Sequence, residues 1–236
     1  MKIEDVKKLV KHKVILVGPY GSGKTHIALQ VAFLFSRKGR SVTYIDPEYG
    51  CQKEIIELYG KGLISDEEVE GVNLIVTPSW VEFIDAIEKS EDDLTIVDCM
   101  SEGMRLFSEY LKEKYLSQGH YIVGGKEIKV KDPDTFTVPW ELTSRVYDKL
   151  LEVMYYMVKH KKHILVTTHP IGGTTAREEL QNSLMAKVDT VIELESIVSE
   201  GKKEYFGLVR KNRGGKEGIR VRNPGDAILK MFEKVI

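Results

Sequence analysis

The sequence predicts an α/β protein with a mostly parallel central sheet, helices on both faces, and antiparallel strands at the C-terminal edge. Three observations carry that prediction. Five short apolar runs, at 13–17, 41–46, 72–76, 94–98 and 163–168, alternate with segments of helical character. A glycine-rich loop, Gly18 to Thr25, joins the first run to the helix that follows it. After the fifth run the spacing shortens to that of hairpins, with runs at 188–195, 204–211 and 218–222.

Taken in order, Lys13-Val14-Ile15-Leu16-Val17 is apolar after its first residue, as a strand buried on both faces requires. Ile27, Leu29, Val31, Ala32 and Leu34 then mark a helix. The first twelve residues leave room for a short helix and for no separate N-terminal domain, so 1–236 is read as one domain. The stretch 117–139 breaks the alternation. Tyr121-Ile122-Val123, Gly124-Gly125 and Ile128-Lys129-Val130 form a hairpin pattern there, read as an insertion. From Trp140 to about His160, Leu142, Val146, Leu150, Val153, Met154 and Met157 recur at helical spacing, which assigns the Trp, Tyr and Met side chains to the core. Ser199-Glu200-Gly201 and Gly214-Gly215 supply the turns between the last strands.

Composition narrows the class. A chain of 236 residues, 42% of them hydrophobic, is long enough to bury a single core. Lys plus Arg (35) nearly cancels Asp plus Glu (36), so any nucleic-acid contact has to come from a local patch. Cys51 and Cys99 have neither metal-ligand nor CxxC spacing, which points to a reducing, cytoplasmic setting. No signal peptide and no apolar run of roughly 18 residues is present, so no membrane partner is expected. Few Gln and Asn beside abundant Lys and Glu is a bias seen in heat-adapted proteins.

The chemistry begins at Gly18-Pro19-Tyr20-Gly21-Ser22-Gly23-Lys24-Thr25, a complete G-x-x-x-x-G-K-[ST] loop. Its glycines let backbone N–H groups turn inward around phosphates, and the helix that follows adds its N-terminal dipole. Lys24 is assigned to the β and γ phosphates and Thr25 to Mg²⁺, with His26 counted in the nucleotide-binding set. ATP and Mg²⁺ are therefore the expected cofactors. Asp98, at the end of the fourth run, suits the second Mg²⁺ carboxylate; a helix cap is the other reading. Many ATPases place a glutamate after this aspartate, but here the residue is Cys99. Glu48, just past the second run, is the candidate for orienting water, against the plainer reading of a solvated loop acid.

These motifs together resemble the RecA/RadA/DnaB superfamily of P-loop ATPases. Tyr44-Ile45-Asp46-Pro47-Glu48 is similar to the Y-I-D-x-E pattern of the recombinases, whose glutamate activates water. Asn73 to Val76, Pro78 and the helix through Ala86 resemble the strand, proline and helix before the Walker B aspartate. Ile164 to His169 is similar to the strand whose terminal polar residue senses the γ-phosphate. Ala186 to Val191 resembles the start of the edge strands, and Val209 to Gly215 resembles the K-x-R element of DnaB-type helicases and clock ATPases.

The resemblance implies a RecA-like fold and ATPase activity, with single-stranded DNA and recombination or replication proteins as partners, and a homo-oligomer. In that frame Glu48 is a general base, His169 reports the γ-phosphate to the loop from Pro170 to Arg177, and Lys211 and Arg213 act on a neighbouring subunit's nucleotide. Departures exist. The recombinases use glutamine where His169 stands, and an extra hairpin follows the Walker B position. No upstream polymerisation segment or N-terminal DNA-binding domain is recognisable, as in single-domain RecA-like ATPases of phages, archaeal viruses and archaeal recombinase paralogues.

Arg210, Lys211, Arg213, Lys216, Arg220 and Arg222 make the densest basic cluster, with Glu217 its only acid in sequence. The loops at Gly124-Gly125-Lys126 and Gly172 to Thr175 fall where the superfamily keeps DNA-contacting segments, yet neither offers an aromatic platform. Three other readings stay open: a switch module that binds ATP without turnover and recruits proteins, a small-molecule kinase, and a packaging motor.

Overall fold

The computed structural model describes residues 11–130, 132–170, 182–183, 185–199, 202–213 and 215–234. The loop beyond Pro170, including Gly172 to Thr175, and the segment before Lys11 lie outside the described residues. The parallel strands are β1 (Lys13–Val17), β2 (Val42–Asp46), β3 (Val72–Val76), β4 (Leu94–Val97) and β7 (His163–Thr168). The antiparallel additions are β8 (Thr190–Ser199), β9 (Lys202–Asn212) and β10 (Arg220–Arg222), while β5 (His120–Val123) and β6 (Lys126–Lys129) pair apart from the main sheet. Its order is β10-β9-β8-β1-β7-β4-β2-β3. β8 joins β1 in parallel and β9 and β10 then fold back antiparallel, at the edge the sequence indicated.

The pleat divides the core in two. Val14 and Leu16 of β1 face the layer of α1 (Lys24–Arg37), α2 (Cys51–Gly60), α3 (Asp66–Glu70) and α7 (Pro224–Glu233), with Phe33, Leu58 and Phe232 buried among them. Ile15 and Val17 face α4 (Trp80–Lys89), α5 (Met100–Gln118) and α6 (Trp140–His160), with Phe83, Met154 and Met157 buried there. The Met residues of α6 are thus core, as its periodicity predicts, whereas Tyr155 is exposed.

Several boundaries differ from the sequence pattern. The fourth strand stops at Val97, and Asp98 leaves the ladder with its side chain buried. α5 runs through Gln118 to a left-handed Gly119 (φ 70°), so Ser117 and Gln118 are helical and the hairpin begins at His120. Gly124 and Gly125 both have positive φ, as a tight two-residue hairpin turn demands. This hairpin covers a small cluster of Leu111, Tyr115, Leu142 and Val146 through Tyr121 and Val123. Among the described residues no helix is long and apolar enough to cross a membrane.

Candidate nucleotide site

Four adjacent strands, β1, β7, β4 and β2, end on one edge of the sheet, and the sequence places a polar residue or loop after each. That edge is where open α/β sheets bind ligands. After β1 comes the loop Gly18 to Thr25, with α1 starting at Lys24 from a left-handed Gly23 (φ 89°). A Cβ on Gly18 would stand 2.8 Å from the Leu194 carbonyl oxygen of β8 and 2.4 Å from Ser22 Oγ. Only glycine lets the loop pass that close to β8. Lys24 Nζ donates to the carbonyls of Gly18 (2.8 Å) and Pro19 (3.0 Å). Burial lowers its pKa, opposed by the neighbouring Cys99, Asp98 and Glu48.

Asp98 is buried and well supported. Tyr44 Oη donates to Asp98 Oδ2 at 2.7 Å, and the Thr167 hydroxyl donates to Oδ1. Thr25 also hydrogen-bonds the Asp98 side chain, so the structure brings together the two residues assigned to Mg²⁺. Burial pushes the Asp98 pKa up against these hydrogen bonds from Thr167, Tyr44 and Thr25. A carboxylate and a hydroxyl, both oxygen donors, suit Mg²⁺, and buried Ser22 Oγ has no hydrogen-bond partner among the described residues. The donor set therefore fits a magnesium–nucleotide.

Glu48 and His169 meet, although 121 positions apart. His169 Nε2 lies 3.3 Å from Glu48 Oε1, and its Nδ1 lies 3.4 Å from Lys24 Nζ. One neutral tautomer satisfies both contacts: Lys24 donates to Nδ1 and Nε2–H donates to the carboxylate. The Cys99 thiol donates to the same Glu48 oxygen at 3.1 Å. Burial, followed by the charge of Glu48, pushes the pKa of that thiol well above its ordinary value. Ser101 was not legible as a site residue. Its hydroxyl lies 2.8 Å from Cys99 Sγ and accepts the His169 backbone N–H at 3.2 Å. Tyr20, 81% exposed on the loop, packs against the His169 ring, tilted by 33° with centroids 3.9 Å apart. Asp46, fully buried, accepts the backbone N–H groups of Glu48 and Cys51, each at 2.8 Å, and so pins the loop that carries Glu48.

Other predicted residues lie apart. His26 Nδ1 contacts Glu54 Oε1 of α2 at 2.6 Å, which turns its ring to that pair. Lys211 and Arg213 sit where β9 pairs with the start of β8, beside the beginning of β1, at the opposite end of the sheet from their own loop. There Lys211 donates to the carbonyls of Met185 (3.1 Å) and Ala186 (2.9 Å), and Arg213 pairs with Asp189 at 3.0 Å. The basic cluster is also less basic than it reads in sequence. Cross-strand acids reach Arg210 (Glu193, 2.7 Å), Arg220 (Glu195, 2.5 Å) and Arg222 (Glu204, 2.5 Å). Pairing partners 17 to 25 positions away thus cancel much of its charge.

A phosphate loop after the first strand, a supported aspartate after β4 and antiparallel strands beyond β8 define a RecA-like P-loop ATPase fold. The relatives agree. The chain is 27% identical over 221 residues to the DNA repair and recombination protein RadB of Methanothermobacter thermautotrophicus, a match spanning 90% of this chain and 85% of that protein. Among solved structures, the flagellar accessory protein FlaH of Methanocaldococcus jannaschii matches with a TM-score of 0.59 at 15% identity, over 94% of this chain and 91% of its own. A RadB recombinase matches with a TM-score of 0.56 at 18% identity, over 89% and 86% of the two chains. A KaiC-like protein of Pyrococcus horikoshii gives 0.56 at 13% identity, over 89% and 84%. No protein-family model matches the chain.

Proposed function

We propose that this protein binds Mg-ATP and hydrolyses it slowly as a RecA-like ATPase of DNA recombination or repair, with single-stranded DNA or a DNA-processing protein as the stimulus. The observation that supports hydrolysis is the meeting of Lys24, Glu48 and His169 beside Asp98 at one edge of the sheet. The recombination setting rests on the likeness to the DNA repair and recombination protein RadB.

In this reading the Gly21 to Thr25 backbone and Lys24 hold the phosphates. Thr25 and Asp98 would hold Mg²⁺, which would supply positive charge to the phosphates when bound. Glu48 orients the attacking water and takes its proton at the carboxylate. His169 couples Lys24 to Glu48: once Lys24 turns to the phosphates, Nδ1 loses its donor, and the ring is free to answer the γ-phosphate. Lys211 and Arg213 lie too far from their own loop to act in cis, so any action on nucleotide is on a neighbouring subunit's.

A second reading, a nucleotide switch with negligible turnover, draws on Cys99 at the position where many ATPases carry a glutamate. Steady-state Mg-ATP hydrolysis with and without single-stranded DNA separates the two. Lys24→Ala is expected to abolish nucleotide binding, and Glu48→Gln to keep binding while turnover falls about 10²-fold or more. Saturable binding with no turnover in the unmodified protein selects the switch.

A further inference from the structure

Around Glu48 the structure gathers three donors of different kinds, one oxygen, one nitrogen and one sulfur. We propose that Glu48, Cys99 and His169 form a binding site for a thiophilic divalent cation of the zinc class, separate from the Mg²⁺ pair Thr25 and Asp98. One ligand atom from each lies within 4.8 Å of the others. Cys99 Sγ stands 3.1 Å and His169 Nε2 3.3 Å from Glu48 Oε1. A tetrahedral zinc ion, with Zn–S near 2.3 Å and Zn–N and Zn–O near 2.0–2.2 Å, separates its ligand atoms by about 3.4–3.6 Å. Two of the three separations therefore already come within about 0.5 Å of what the ion needs.

The donor set excludes the commoner cation. Mg²⁺ takes oxygen ligands and keeps several waters, whereas thiolate with imidazole selects zinc-like ions. Three protein ligands leave a fourth position for water, which is the pattern of zinc sites that are not closed. Cys99 is buried, while His169 and Glu48 are partly open, so that position has a path to solvent. Ser101, whose hydroxyl accepts from the His169 N–H and lies 2.8 Å from Cys99 Sγ, provides the outer support that fixes two of the ligands.

Binding breaks the S–H bond of Cys99 and forms a metal–thiolate bond, and the proton leaves to solvent. Glu48 contributes its carboxylate and His169 its neutral ring, and nothing is oxidised or reduced. With Nε2 on the ion, His169 Nδ1 carries the ring proton and no longer accepts from Lys24. The Lys24 ammonium, now 3.4 Å from Nδ1, then repels the ion. That repulsion gives the site a signature that a purely structural cysteine lacks. An ion held by Glu48 also removes the carboxylate from water, so on the hydrolysis reading above the site is a brake; the binding itself does not rest on that reading.

The test is titration of nucleotide-free protein with Co²⁺, read by absorption. One equivalent is expected to bind with a thiolate-to-cobalt charge-transfer band and the strong visible bands of four-coordinate Co²⁺. Cys99→Ala should lose the charge-transfer band, and Cys51→Ala, which removes the other thiol, should keep it. His169→Ala should weaken binding at least about tenfold. Lys24→Ala should tighten it at least about tenfold, since it removes a unit charge a few ångströms from a dication. Far-UV circular dichroism on each variant confirms folding, and if Cys99→Ala fails to fold, the His169 and Lys24 variants decide. Absence of the band, its survival in Cys99→Ala, or unchanged affinity in Lys24→Ala overturns the site. Turnover in excess Mg²⁺ with a zinc-selective chelator tests the ATPase reading separately.

Discussion

Asp46→Asn probes the link between the fold and the proposed chemistry. The Asp46 carboxylate accepts two backbone N–H groups, from Glu48 and from Cys51, each at 2.8 Å, in a fully buried setting. Between them Tyr49 takes φ 61°, a left-handed conformation that tyrosine rarely adopts, so the clamp holds the loop in a shape the chain alone disfavours. Asparagine keeps the size but offers one acceptor and one donor, and one N–H loses its partner. A hydrogen bond to a charged group contributes about 1.5–3 kcal/mol, and an orphaned buried N–H costs about 1–3 kcal/mol. A loss of about 2–4 kcal/mol is expected. At roughly 2–4 °C per kcal/mol for a domain of this size, the melting temperature falls by about 4–16 °C.

The functional effect should be selective. A shift of about 1 Å in Glu48 is enough to lower turnover about 10²-fold. The phosphate loop sits on β1 and α1, outside the clamp, so ATP affinity is expected to hold. Calorimetric melting, ATP binding by titration calorimetry, and turnover measured well below the variant's melting point together check this. Destabilisation of the expected size with turnover unchanged would refute Glu48 as the water-orienting group. An unchanged melting temperature would refute the clamp itself.

Two further outcomes follow from buried contacts. His163 Nδ1 accepts the backbone N–H of His12 at 3.0 Å, and burial, then His12 and Lys13, hold its pKa at about 4 against an ordinary 6.5. Between those values the unfolded chain binds more protons, so this stability is complete above pH 6.5 and drains away toward pH 4. His163→Gln keeps an acceptor without titrating, so the stability advantage of the unmodified protein should shrink as pH falls from 7.5 toward 5; parallel losses in urea midpoints would show that the ring is not held neutral. Gly18→Ala puts a Cβ 2.8 Å from the Leu194 carbonyl oxygen, an overpacking of about 1–3 kcal/mol, and should weaken ATP binding at least about tenfold by pushing the loop off β8. Wild-type affinity by calorimetry would mean that β8 yields instead.

The central strands were legible because strands buried on both faces read as apolar runs, and β1 and β7 occupy the residues their runs indicated; β3 also lies where its run does, although it is a partly buried edge strand with Asn73 exposed. The helix α3 left no such trace. It is five residues long, buries none of them, and starts from a Ser65–Glu68 capping box rather than an apolar stripe. At the site, Lys24, Thr25, Glu48, Asp98 and His169 each carried a local cue from loop or strand-end position. What those cues omit is strand order. Cys99 reaches Glu48, 51 positions away, because β4 lies beside β2, and His169 joins them because β7 lies on the other side of β4. Ser101 had no cue of its own.

The basic cluster shows the same limit with the opposite sign. Its charge was legible, but the cancelling acids are selected by the registers of β8 on β9, including a shift between Val191 and Ile192, and of β10 on β9. That hairpin also spans the length of the sheet: Leu194 bears on Gly18 and Tyr205 on Gly23 near the phosphate loop, while Lys211 and Arg213 occupy the far end. A subunit that presents those two cations to a neighbour's nucleotide must first release Lys211 from two carbonyls and Arg213 from Asp189. The release costs hydrogen bonds that the incoming phosphates replace. On the proposed trans role, action at this end would be coupled to assembly around bound nucleotide, because the hairpin carries these two cations at the end of the sheet opposite its own phosphate loop.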